Sequence, residues 1–234
     1  MHLLRLNTRM PDYFSHNIAA EKIYENLATS YKEKISSHTL YLLGAQGGDV
    51  FFAYNLILTK NNLGRDMHRR NAHDIIEKLS CGNLSYAAGF AAHYALDSTL
   101  HPAVYAYENS HHSPLSHFNF ESDLGLFISR LYNMRRSIIP REKLLACTGP
   151  LYDSVKNVEE RVTMTGIERC LKRHFTYTRY LYKRKNSEYK CAYPFEDLEW
   201  MVNDAVEMGV ECVRAVLNQD IPVALFSSPF LAKF

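Results

Sequence analysis

This chain predicts an all-α fold on three observations. Apolar residues recur at helical spacing through most of the sequence, helix-breaking residues fall between those stretches, and no segment alternates cleanly between apolar and polar as a half-buried strand does. With 234 residues, 47% of them hydrophobic, the chain can fill one substantial core. Neither an internal repeat nor a low-complexity linker divides it. Residues 1–234 therefore read as a single-domain multi-helix bundle.

The elements follow in order. In residues 17–35, Ile18, Ala19, Ile23, Leu27, Tyr31 and Ile35 make one helical stripe with charge on the other side. In SSHTLYLLGAQGGDVFFAYN an apolar run ends at Gly44, Gly47 and Gly48 and resumes at Val50, Phe51 and Phe52. The glycines predict a helix end and a tight turn that delivers Asp49 from a fixed backbone position. Residues 65–80 and 84–107 read as two helices separated at Cys81-Gly82-Asn83. The second carries Ala87, Ala88, Gly89, Ala91 and Ala92, small residues that permit close packing and suit a central helix. Residues 108–116 form a polar loop containing Pro114, and a helix runs from His117 to about Arg136. Helical patterns return near 141–147, 159–184 and 195–218, with turns at Gly149-Pro150 and Tyr193-Pro194. The apolar C-terminal stretch IPVALFSSPFLAKF is expected to dock on the bundle.

Composition narrows function mainly by exclusion. A net charge of +2 with no basic stripe across the chain gives no clear nucleic-acid partner. The most basic stretch (Lys172, Arg173, Arg179, Lys183, Arg184, Lys185) reads as the solvated face of a helix. No run approaches the ~18 apolar residues of a transmembrane segment, and MHLLRLNTRMPDYF lacks the apolar core and cleavage site of a secretory signal. The five cysteines, Cys81, Cys147, Cys170, Cys191 and Cys212, are odd in number and scattered without a CxxC pair. Neither a disulfide framework nor a thiolate zinc site is suggested, and a cytoplasmic protein with reduced thiols is expected.

Histidine is the biased component: ten of the eleven lie within residues 1–117, and only His174 lies beyond. His93, Asp97 and His101 stand at i, i+4 and i+8. Four residues advance an α-helix by about 40° past a full turn, so the three side chains share one face within about 80°. His117 and Glu121 repeat the spacing on the next helix. Imidazoles and carboxylates so placed suit zinc. The segment GFAAHYALDSTLHP holds no Lys or Arg. Its carboxylate therefore needs a compensating charge, supplied by a metal or by an arginine from elsewhere.

Four stretches together carry a resemblance: MPDYFSH ending in His16, LLGAQGGDVFFAYN with Asp49, LGRDMH with His68, and GFAAHYALDSTLHP followed by SHFNFESDL. In this order they resemble the zinc-dependent phospholipase C family, whose helical fold also serves single-strand-specific zinc nucleases. The resemblance spans about residues 10–130, with the helices of 141–234 completing the bundle. It implies bound Zn²⁺: Asp49, His68, His93 and Asp97 at a first ion, His101, His117 and Glu121 at a second, and His16 with Asp97 at a third. It also implies a phospholipid or other phosphoester substrate, with Asp49 as the catalytic carboxylate that orients or deprotonates the attacking water. Bound zinc lowers the pKa of water from 15.7 to about 7. Secreted members use an N-terminal tryptophan at the third ion. Residue 1 here is Met and the one tryptophan is Trp200, so two ions are expected and a third depends on other ligands. Gly48 stands where the family has proline, and the Asp97-to-His101 gap is short.

Phe51, Phe52 and Tyr54, just after Asp49, are candidates to line a substrate pocket, with plain core packing as the alternative. The His73-Asp74 doublet, His38, His111, His112, His2 and His174 lack supporting context. Glu108 and Asp123 read as solvent-exposed or as outer supports of the site. The tyrosines of 175–189 cover more than one helix face and read as packing and surface residues. Two other functions stay open: a zinc nuclease for single strands, and a helical binding protein in which zinc is structural or absent.

Overall fold

The computed structural model describes residues 13–54, 62–113, 115–183, 188–227 and 230, and among these every regular element is a helix. The all-α expectation is met. The stripe expected over 17–35 divides into α1 (Tyr13–Asn26) and α2 (Thr29–Lys32), because Ala28 turns extended between them. Four further helices begin at side chains that accept from the exposed N–H groups of a first turn. Ser37 caps α3 (His38–Gly44), Asn62 caps α4 (Leu63–Arg69), Asn71 caps α5 (Ala72–Ser80) and Asn83 caps α6 (Leu84–His111). The single helix expected over 65–80 is thus two, since Arg70 is extended and Asn71 starts afresh.

α6 continues to His111, and the polar loop expected from residue 108 starts only at left-handed His112. α7 (Ser116–Leu131) ends before left-handed Asn133 rather than at Arg136. After α8 (Arg141–Ala146), the Gly149-Pro150 pair expected to form a turn lies in the first turn of α9 (Thr148–Val155). Proline is tolerated there because its missing N–H would have had no partner within the helix. α10 (Met164–Lys183) and α11 (Glu199–Leu217) complete the set. Expectations on Pro114, on His2 and the rest of 1–12, on Arg184 and Lys185, and on 228–229 and 231–234 fall outside the described residues. Among the described residues no helix is long and apolar enough to cross a membrane.

α6 is the spine. Its 28 residues span about 42 Å at 1.5 Å each, and it packs most extensively on α11 and α3, then on α5, α7 and α1. The α3–α6 crossing is closed by two glycines. A Cβ on Gly89 would lie 1.9 Å from the Tyr41 carbonyl, and one on Gly44 would lie 2.2 Å from the Tyr86 carbonyl. α6 also joins two apolar clusters. Its residues up to Ala95 pack with α3, α5 and the C-terminal half of α11, while those from Leu96 onward pack with α1, α7 and the start of α11. His93 and Asp97 sit where one cluster gives way to the other. The C-terminal segment docks as expected, with Phe226 and Phe230 both buried in the first cluster.

The crossing sets a test. Gly89→Ala should push α3 off α6 and lower stability by about 1–3 kcal/mol, a fall in Tm of roughly 2–12 °C for a chain of this size. Thermal unfolding measures it, and an unchanged Tm would contradict the close crossing.

Candidate metal centre

Five elements deliver eight side chains to one region. α6 presents His93, Asp97 and His101 on one face, α1 brings His16 and α4 brings His68. α7 brings His117 and Glu121, and the 3-10 turn Gly47–Ala53 brings Asp49. The turn forms because Gly47 takes φ of +53°, which L side chains rarely adopt, and because a Cβ there would meet the His93 ring at 2.0 Å. Seven of the eight are buried; Asp49 retains a little exposure.

Asp97 is the hub. Its Oδ2 lies 3.1 Å from His93 Nε2 and 3.9 Å from His68 Nε2, and its Oδ1 lies 3.4 Å from His16 Nε2 and 3.6 Å from His101 Nδ1. Asp49 Oδ1 is 3.2 Å from His68 Nε2, and its Oδ2 is 4.0 Å from His16 Nε2. On the far side, Glu121 Oε1 lies 3.0 Å from His117 Nε2 and 3.7 Å from His101 Nε2. Three sets each bring one donor atom per residue within 4.8 Å of the others: His16, His93 and Asp97; Asp49, His68 and His93; and His101, His117 and Glu121. The eight residues singled out from the sequence as ligands are therefore brought together.

Between the two charge partners left open for Asp97, the geometry discriminates. Among the described residues its ion-pair partners are histidines, and none is an arginine or lysine. Both oxygens of Asp49, Oδ2 of Asp97, Oε2 of Glu121 and Nε2 of His93 are buried without an aligned hydrogen bond. Orphaned polar atoms are costly in a protein interior. An N/O donor set with lone pairs facing inward fits a divalent cation such as zinc. The rings are also held from behind. His68 Nδ1 meets the Gly64 carbonyl at 2.7 Å, His101 Nδ1 meets the Asp97 carbonyl at 3.1 Å, and His117 Nδ1 meets Glu108 Oε2 at 3.1 Å. In each case Nε2 is left to face the cluster, as supported metal ligands do.

Charges in the cluster perturb one another. Burial, reinforced by the neighbouring charge of His93, drives His16 down to about 4. Burial also pulls on His68 and His117, but close carboxylates outweigh it: Asp49 holds His68 up at about 9, and Glu121 with Glu108 holds His117 up at about 9. His101 is raised too, because Asp97 and Glu121 outweigh its burial. The same pairing overcomes the burial of the acids. His117 and His101 bring Glu121 down to about 2, and His101 and His93 hold Asp97 below the ordinary carboxylate range. Without a cation, His68 and His117 are imidazolium partners of Asp49 and Glu121.

The other residues singled out from the sequence fall in several places. Phe51 is fully buried in the main apolar cluster, and Tyr54 packs on α10, its hydroxyl accepting from Thr163 N–H. Phe52 alone of the three aromatics touches the centre, stacking on His68 at 5.7 Å. A cavity of about 20 Å³ adjoins the cluster between His16, Asp97, His101 and Glu121 on one side and Leu96 and Leu100 on the other; none of the three aromatics lines it. His38 pairs at the surface with Glu21, and His73 contacts the Ile221 carbonyl while Asp74 is exposed. His111 stacks on Tyr107 at the end of α6. The exposed reading of Glu108 and Asp123 is corrected. Glu108 supports His117, seven residues beyond His101 on the same helical face, and Asp123 is fully buried, accepting from the N–H groups of Lys190 and Cys191.

His174 lacked sequence context because its surroundings come from distant segments. It is buried on α10 against Tyr13, and burial drives it down to about 4.

No curated protein and no solved structure matches the chain. A family model described as zinc dependent phospholipase C matches residues 15–190, about three quarters of the chain. All eight clustered residues lie inside that stretch, on a wholly helical framework, and the chain belongs to the zinc-dependent phospholipase C family.

Proposed function

We propose that the chain is a zinc-dependent phosphoric diester hydrolase acting on a phospholipid head group or a related phosphoester. The observation that carries this reading is the convergence of eight N/O donor side chains on one buried region whose hub, Asp97, has no arginine or lysine partner among the described residues. Asp49, His68, His93 and Asp97 would hold a first ion, and His101, His117 and Glu121 a second. His16 with Asp97 would contribute to a third. Zinc, when bound, supplies Lewis acidity that favours ionisation of water and offsets charge on the attacking and leaving oxygens of a phosphoester.

The remaining tasks fall to the chain's own groups. Asp49 and His117 have the most exposed side chains of the eight, at 10% each. Asp49 Oδ1 faces His68, so Oδ2 is the oxygen that takes the proton of the attacking water. The Gly64 carbonyl, the Asp97 carbonyl and the Glu108 carboxylate fix the tautomers of His68, His101 and His117. Leu96 and Leu100 give the adjoining cavity an apolar wall. A cavity of about 20 Å³ holds little more than one water, too small for a head group. The five cysteines are unpaired, four of them buried, which supports a reducing, cytoplasmic setting.

Purified protein should contain zinc, and chelation should abolish turnover of a chromogenic phosphocholine ester. His93→Ala and Asp97→Asn should lose roughly 10²–10³-fold or more in kcat/KM. Turnover of single-stranded DNA in preference to a lecithin emulsion would overturn the substrate assignment. Asp49→Asn removes both the proposed base and a ligand of the first ion: kcat should fall roughly 10²–10⁴-fold, while zinc at the His101, His117 and Glu121 set should persist. Protonation gives a further check. Imidazoles held at about 9 are charged at pH 7 in the metal-free chain and must lose their protons to ligate. Zinc binding should therefore release roughly two protons and tighten as pH rises toward 9. Calorimetry in buffers of different ionisation enthalpy measures this, and proton uptake would contradict it.

A further inference from the structure

His93 differs from the other candidate ligands of α4, α6 and α7. His68, His101 and His117 each direct Nδ1 at a carbonyl or carboxylate oxygen. The Nδ1 of His93 instead faces Nδ1 of His16 at 3.2 Å, and His16 is itself a candidate ligand. Among the described residues no oxygen anchors the His93 ring from behind. Its orientation is set by packing. Gly47 lies flat against one part of the ring, leaving no room for a Cβ. Phe90 and Phe230 cover other parts, with ring centroids at 5.9 and 6.0 Å.

Phe230 is the least expected member of this box. It comes from the C-terminal segment, beyond the stretch that the family model matches. It is 1% exposed and stands edge-on to His68 at 5.7 Å, to Phe90 at 5.7 Å and to Tyr94 at 5.4 Å. Phe226 packs behind it on Tyr94. One aromatic ring thus touches both imidazoles of the Asp49–His68–His93 set and shields them from water.

We infer that Phe230 is a positioning residue for the first metal site, doing for His93 by packing what a hydrogen-bonded oxygen does for His68, His101 and His117. The inference rests on the metal reading given above. Removing a ligand's outer support typically weakens metal binding 10–100-fold, and the same is expected here.

The test uses full-length protein and measures zinc affinity by competition with a chromophoric chelator, together with the visible spectrum of the Co²⁺-substituted form. Phe230→Ala should weaken one class of zinc site 10–100-fold, leave the other unchanged, and alter the Co²⁺ bands. Phe230→Leu keeps most of the bulk and should fold if Phe230→Ala does not; it should still show a several-fold loss and a changed spectrum. Phe195→Leu, in the other apolar cluster and away from the histidines, controls for general loss of stability and should leave affinity and spectrum unchanged. Wild-type affinity and spectrum in the folded Phe230 variants would overturn the inference, as would an equal loss in Phe195→Leu. Wild-type protein that binds no zinc would instead overturn the metal reading, and this inference with it.

Discussion

A buried carboxylate with no arginine or lysine beside it among the described residues is the constraint around which this molecule is organised. Asp97 stands midway along the longest helix, 3% exposed, with four imidazoles as its ion-pair partners. Transferring an ionised carboxylate into an apolar interior is prohibitive unless the charge is matched. Each element that reaches the centre answers this demand. α1 enters to bring His16, α4 is capped and turned to bring His68, and the glycine turn swings Asp49 and its backbone close to His93. Packing follows the same requirement, with two apolar clusters meeting at the level of Asp97 so that the polar centre is enclosed on both sides.

The support around the centre is graded. α6 and α7 carry candidate ligands at four-residue spacing, and two of them, His101 and His117, are tied to oxygen atoms of the Asp97 carbonyl and of Glu108. On the α4 side the Gly64 carbonyl sits beneath His68. At His93, among the described residues, no oxygen stands behind the ring; its supports are the His16 ring and packing, part of it from residues distant in sequence. Precision at the centre therefore depends on local hydrogen bonds at one end and on the completed tertiary fold at the other. The second donor set can be ordered by two neighbouring helices, whereas the Asp49–His68–His93 set requires the C-terminal segment to be in place.

Much of this was legible in the sequence because it is local. Four-residue spacing on a helix fixes a shared face whatever else the chain does, so His93, Asp97, His101, His117 and Glu121 could be grouped from spacing alone. His16, Asp49 and His68 could not; they come from three other elements, and only the ordered resemblance of their surrounding motifs linked them. Helix boundaries failed where a polar cap interrupts an apolar pattern, as at Asn71, or where proline sits in a first turn, as at Pro150. Phe230 and His174 left no local trace, since their roles arise from packing between segments more than 100 residues apart in places. Glu108 was the near miss. It lies on the His101 face of α6, but its burial depends on where α7 folds back.

The contact between His16 and His93 has a consequence of its own. Two Nδ1 atoms 3.2 Å apart can share one proton between them. The ring that supplies it keeps its Nε2 lone pair free; the other ring, while neutral, carries its proton on Nε2 and has no lone pair to give from that atom. Both Nε2 atoms face Asp97, yet the two cannot act as donors together while this bond persists. In that arrangement an ion held by His93 through Nε2 would leave His16 protonated at the same position. Occupation of every site at once requires the two rings to part.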